Sequence, residues 1–335
     1  MTHEMKDKSL SVLARGLERN QNSILLWRVY LSLYMSRYGS MVPETRQLFD
    51  ESVTFNPNGY QLWRLYLDFE NSSKHKIQLY EKAIFSLSAH PLQAFASPEE
   101  ASSILKSMVI EHIQMYCDLG NRELAIKTLS NYLYPQLRKA QDSIKLELIL
   151  LDSDICELYL CYLHLLIFNC LPSSATTCPK TKRQPFTVFK WELVEGQKLS
   201  ISIEILRKAM EEAISYFKTI KQEILPLCYN FVFLEIALKN IEEARCLCQQ
   251  FLRNNPALYE LWELYTFVER SAGNQTDAVL IYERSIQRYP LSTRLCNGFA
   301  LLLHELGKSQ QAAHLLAQSV LQFLQVLYTC SINRY

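Results

Sequence analysis

Glycine is scarce in this chain, at 8 of 335 residues. So few glycines exclude a fold built on tight turns, and plentiful Leu, Ala, Glu and Lys point to helices. Charge of one sign is also missing. The net charge is +1, so no global field gathers nucleic acid or a membrane surface, although a local basic patch stays compatible with that balance. Long apolar runs are absent too. The most apolar stretch, "ICELYLCYLHLLIF" at residues 155–168, is too short to span a bilayer and carries Glu157 and His164. It reads as a buried helix, with His164 a core or groove histidine rather than a metal ligand. The N-terminal "MTHEMKDKSLSVLARGLERN" is too polar for a secretory signal.

Catalytic signatures are missing as well. There is no Gly-rich phosphate loop, no H-E-x-x-H and no G-x-S-x-G. Little room is left for a loop-built active site, so the expectation is no enzyme, no cofactor and no metal. The ten cysteines form no C-x-x-C and no Cys/His cluster of zinc spacing. Most lie in apolar helical runs, which suits a reducing compartment.

What the chain does have is repetition. "LWRLYLDFE" at residues 62–70 returns as "LWELYTFVE" at residues 261–269. Trp63, Tyr66 and Glu70, like Trp262, Tyr265 and Glu269, are spaced three and four apart, on one helix face. A polar break follows each, "NSSKH" or "SAGNQTD", and then a second apolar-periodic segment. That segment carries Tyr80-Glu81-Lys82 or Tyr282-Glu283-Arg284 and stops at Pro91 or Pro290. The unit is helix, turn, helix, proline.

Weaker copies share the register. Cys248 and Leu316 stand 34 residues before and after Tyr282, a spacing common in helical-pair repeats. Cys228, Phe231 and Glu235 fall where Trp262, Tyr265 and Glu269 stand. Cys296 and Phe299 do likewise with Leu303 replacing the acid, and Trp27 and Tyr30 with Tyr34 replacing it. Helix pairs are expected at 24–57, 60–91, 104–135, 225–256 and 258–290. The chain divides on this reading into N-terminal repeats at 1–140, an irregular helical centre at 141–224 and C-terminal repeats at 225–335. The N-terminal "KSLSVLARGLERNQ" reads as a second helix with no first, as if the chain began inside a repeat.

A lone helix pair cannot bury its apolar stripe, so neighbours must share a core. Trp63 and Trp262 are expected as buried wedges. Glu70 and Glu269 are expected to pair with Lys82 or Arg284 of the following helix. The aromatic stripe could be taken for a base-stacking platform, but aromatics at interhelical positions read better as core.

The centre departs from this pattern. Residues 141–170 read as one long apolar helix or two, and helix resumes near Lys198. Between them, "LPSSATTCPKTKRQPF" within a loop at 171–190 has three prolines and no helical period. Its Lys180, Lys182 and Arg183 are a candidate partner contact or phosphate contact beside the plainer reading of a solvated loop.

The two full copies resemble the HAT (half-a-TPR) repeat, whose first helix carries Trp, then Tyr or Phe three on, then Glu seven on. Ala278, Ile281, Tyr282, Glu283 and Arg284 are similar to its second helix, and Ala244 and Arg245 to that helix's opening pair. The resemblance implies an all-α, right-handed solenoid of antiparallel helix pairs. It implies a non-catalytic scaffold in nuclear RNA processing or RNA decay, with protein partners and RNA reached through them. Segments such as "NPNGYQLWRLYLDFE" are also similar to the repeat region of a large nuclear scaffold that targets polyadenylated RNA to the exosome. Exposed apolar repeat ends would suit a homodimer contact. The other readings are a TPR-like peptide receptor or chaperone adaptor, and a direct RNA binder. A carboxylate receptor needs basic residues at one repeated offset, and Arg28, Arg64 and Lys239 do not share one.

Overall fold

The computed structural model of the chain describes residues 3–38, 42–89, 91–134, 146–173, 175, 191, 202–217 and 221–332. Among the described residues there is helix and no strand. The chain is an all-α repeat fold of antiparallel helix pairs, in two compact units, Met1–Gln184 and Pro185–Tyr335. The unit boundary falls within residues 171–190, where the sequence has no helical period.

The first unit runs α1 (His3–Arg19), α2 (Ile24–Tyr38), α3 (Val42–Phe55), α4 (Tyr60–Phe69), α5 (Ser73–Ala89), α6 (Pro91–Ala94), α7 (Pro98–Asp118), α8 (Arg122–Leu133) and α9 (Asp152–Phe168). Helix α5 ends before Pro91, but that proline then opens the short α6, since proline suits a first helical turn. Ser97 caps α7, its hydroxyl accepting from the Glu100 N–H, while the Glu100 carboxylate reaches back to the Ala96 N–H. This capped start moves the third pair's first helix back from residue 104 to Pro98.

The apolar centre is helical only from Asp152, after a 3₁₀ turn at Leu146–Leu148; residues 135–145 lie outside the described residues. Its start is tied to α7 by a buried polar network. The Ser102 hydroxyl donates to Asp154 and accepts from the Leu151 N–H, and Lys106 pairs with Asp154 at 2.9 Å and Glu157 at 2.5 Å. His164 bonds the Cys170 carbonyl through Nδ1 at 2.8 Å.

The second unit runs α10 (Ile203–Tyr216), α11 (Leu225–Ala237), α12 (Ile241–Asn254), α13 (Tyr259–Ser271), α14 (Gln275–Arg288), α15 (Thr293–Glu305) and α16 (Ser309–Ile332). Here the period is regular. First helices begin at 225, 259 and 293, and second helices at 241, 275 and 309. The turn inside each pair is one motif repeated. A left-handed residue, Lys239, Gly273 or Gly307, follows the first helix. The next N–H then closes onto the carbonyl of Glu235, Glu269 or Leu303. Helix α10, a second helix in kind, stands before α11 with Ser202 as its cap; Lys198 lies outside the described residues.

Stacking between consecutive pairs follows the register. Phe49 lies flat on Tyr66 with centroids 4.7 Å apart, Tyr80 on His112 at 5.8 Å and Tyr282 on Phe299 at 5.4 Å. Each joins a second helix to the next first helix, so the core sits between pairs as well as within them.

Candidate protein-interaction surface

The acid of the repeat is placed by its helix end. Glu70 caps the C-terminus of α4, and Glu269 lies in the last turn of α13. Both carboxylates turn backward to the preceding pair. Arg46 on α3 clamps Glu70 through Nε and Nη2 at 2.7 and 2.8 Å. Arg245 on α12 clamps Glu269 at 2.9 and 2.8 Å, and Arg207 on α10 clamps Glu235 at 3.0 and 3.1 Å. Two-pronged geometry of this kind fixes both position and angle. Burial raises the Glu70 carboxyl, but Arg46 and the Ser72 N–H outweigh it and hold it below the usual carboxylate range.

These partners differ from Lys82 and Arg284. Both of those residues are exposed, on the outer face of the following helix. The signal for the true partner is an arginine three residues before the register position: Arg46 before Phe49, Arg245 before Cys248, Arg207 before Met210. Where Leu303 replaces the acid, Val279 replaces the arginine, and the two belong to one apolar cluster. Both halves of the clamp change together.

The two tryptophans of the full copies sit differently. Trp63 is 4% exposed, and its indole N–H donates to the Pro57 carbonyl six residues back at 2.9 Å. Trp27 does the same to Gln21 at 2.7 Å. Trp262 is only partly buried and its indole N–H has no partner. The carbonyl it would use, on Pro256, accepts from the Tyr289 hydroxyl instead. The phenols keep polar contacts: Tyr66 donates to Asp50 at 3.1 Å, and Tyr265 accepts from Gln249 at 3.2 Å. At the tryptophan position Cys228 and Cys296 are buried, and Phe231 is buried where tyrosine stands in the full copies. Tyr80 donates to Glu111 at 2.8 Å. Tyr30 packs edge-on to Trp27, with centroids 6.3 Å apart. Pro290 lies in the turn before α15. Lys180, Lys182 and Arg183 lie outside the described residues.

These side chains build the array and leave its first-helix face for contact. Two residues beyond the register aromatic, the second unit presents Phe233, Phe267 and Leu301. Phe267 is 47% exposed and Leu301 61%, and Phe233 meets Phe267 edge-on at 5.1 Å. The first unit has Ser32, Asp68 and Gln114 at that position. One helical turn earlier in the second unit stand Tyr229, Glu263 and Asn297, with Glu260 beside them. Burial raises the Glu263 carboxyl, Arg294 opposes the rise from 2.9 Å, and Glu260 adds to it. Helix α16 also exposes Leu316, Val320, Leu321 and Leu324. Among the described residues no His/Cys/Asp/Glu group is arranged to hold a metal ion, and no helix is long and apolar enough to cross a membrane.

No family model matches the chain. Over 317 residues it is 26% identical to the human "Zinc finger C3H1 domain-containing protein", an alignment covering 89% of this chain and 15% of that protein. The chain thus spans a small part of the relative's length. Two solved structures align over most of it. One is the APC/C hetero-tetramer Cut9-Hcn1, at 15% identity over 90% of this chain and 47% of that one, with a TM-score of 0.29. The other is Naa15/Naa10 bound to HypK-THB, at 10% identity over 94% and 61%, with a TM-score of 0.30.

Proposed function

We propose that this chain is a non-catalytic protein-interaction scaffold of the nucleus, serving RNA processing or RNA decay through exosome targeting of polyadenylated RNA. The HAT identity of its repeats is part of the same proposal. The observation that carries it is the likeness to the zinc finger C3H1 domain-containing protein along 89% of the chain. The geometry is consistent with holding partners rather than turning over a substrate. Polar side chains of the register are spent on clamps between helix pairs, while apolar ones face outward on successive first helices.

The partners are proteins of an RNA-decay complex, with RNA reached through them. Direct RNA binding is disfavoured by Glu260 and Glu263 beside the apolar face, because phosphate is repelled there. A carboxylate receptor is disfavoured for the same reason. A homodimer through the exposed side of α16 is a second reading, favoured by its run of exposed leucines. Affinity purification from nuclear extract, with and without RNase, tests the proposal. RNA-decay proteins retained after RNase are the expected result. Loss of every partner would support the RNA binder, and recovery of chaperones the adaptor.

A further inference from the structure

The first-helix face of the second unit combines two features. One is the ladder Phe233, Phe267 and Leu301, apolar on three successive first helices. The other is an acidic corner one turn away. Glu260 is 8% exposed, yet its Oε2 is buried with no hydrogen-bond partner. Glu260 stands one helical turn before Glu263 on the same face of α13, and its backbone carbonyl accepts from the Tyr229 hydroxyl at 3.2 Å. Arg294 pairs with Glu263 at 2.9 Å and leaves Glu260 unmatched. Two acids against one arginine give the corner a net negative charge. A buried carboxylate oxygen without a partner is costly, and a cation brought against the partly exposed Glu263, above it, would offset the charge the two acids share.

We propose that this face docks an amphipathic helix of a partner protein, one that places an Arg or Lys at Glu263, over the buried Glu260, and apolar side chains on Phe267 and Leu301. The proposal rests on the scaffold reading and names the chemistry of its partner. A helix is the fitting occupant because an all-helical face offers no free backbone ladder for an added strand. Successive first helices stand roughly 10 Å apart. Residues seven apart on a helix span about the same distance, so apolar residues at i and i+7 match two rungs. Nucleic acid is disfavoured by the sign of the corner.

The probes are short Ala/Gln-based helical peptides carrying fluorescein. One bears Leu at i and i+7 with Arg one turn before; a second has Glu for that Arg; a third has Ser for both Leu. Each is titrated by anisotropy against the full chain at physiological salt. The Arg/Leu probe should bind and the other two should not. Glu260→Gln with Glu263→Gln should weaken it by roughly tenfold or more, and Leu301→Ser with Phe267→Ser should do the same. Leu301, being mostly exposed, is removable without harm to the core. Equal binding of the Glu probe would overturn the proposal, as would unchanged binding by both variants or binding by no probe. Competition by oligoadenylate, or self-association of the chain lost in Leu301→Ser, would assign the face to RNA or to a second copy and also overturn it. RNase-resistant capture of decay proteins would stand through any of these failures, so the two readings fail separately.

Discussion

The two units use one repeat register and spend it differently. In the first, the face that the ladder occupies in the second is polar and already paired. Arg28 bonds Gln61 at 2.5 Å, and Arg64 is held by Glu111 at 2.6 Å and Asp68 at 3.4 Å. In the second, the equivalent positions are apolar, flanked by the Arg294–Glu263 and Arg270–Glu305 pairs, and Glu260 beside them is unmatched. The first unit is irregular in length, with α6 inserted and α7 lengthened at its capped start, and its exposed Leu25 and Val29 share one helix, α2. The second keeps a strict 34-residue step and an open face. Regularity and openness go together here because equivalent residues on evenly stepped helices fall into a row. The lesson is that a shared motif fixes how helices stack and leaves what they present free to diverge.

The comparison is sharpened first by its tryptophans. Trp63→Ala should cost about 3–5 kcal/mol, whereas Trp262→Ala, at a partly buried site where the indole N–H has no partner, should cost clearly less. Denaturant midpoints of the two variants check this, and equal losses would erase the distinction. Next come the clamps. Arg245→Ala leaves the buried Glu269 carboxylate without its cation, with the Asn274 amide still donating to it, and should cost roughly 3 kcal/mol. Replacing both, as Arg245→Val with Glu269→Leu, should recover most of that, since Val279 and Leu303 stand at the equivalent positions. A double variant as weak as the single would break the clamp account.

A third test belongs to the first unit. His112 is fully buried between Tyr80, Tyr116 and Tyr132, and burial pushes its pKa down from the usual 6.5 to about 4. The unfolded chain therefore takes up this proton more readily. Stability from the neutral imidazole is full above pH 6.5 and is lost as pH falls from 6.5 toward 4. The loss is on the order of 3 kcal/mol. Unfolding free energies of His112→Gln across that range should fall less steeply than those of the parent chain.

The smallest effect is in the second unit's turns. Gly273 has φ +78°, and Gly273→Ala should cost about 1 kcal/mol in melting experiments. Lys239→Gly, at φ +62°, should gain a similar amount or less.

The helix pairs, the break at Pro290 and the positions of Trp63, Tyr66 and Glu70 were legible because spacings of three and four are properties of the chain itself, whereas Pro91 opens a further short helix. The clamps were not, because the acid's partner lies 24 or 28 residues upstream and a repeat pattern reads forward within its own pair. The indole of Trp262 shows the same limit from another side. Its letters copy those around Trp63, but Tyr289 takes its carbonyl, and no local spacing reports a competitor 33 residues from Pro256. The ladder was legible in principle from the 34-residue step through Phe233, Phe267 and Leu301. Its exposure was not, since apolar residues at helical spacing more often face the core.

The contrast between the units is tested most directly by capture from RNase-treated nuclear extract with three chains: the parent, Phe267→Ser with Leu301→Ser in the second unit, and Ser32→Asp in the first. The parent and Ser32→Asp should retain the same proteins in the same amounts, while the second-unit variant should lose them. Equal retention by all three would contradict the contrast.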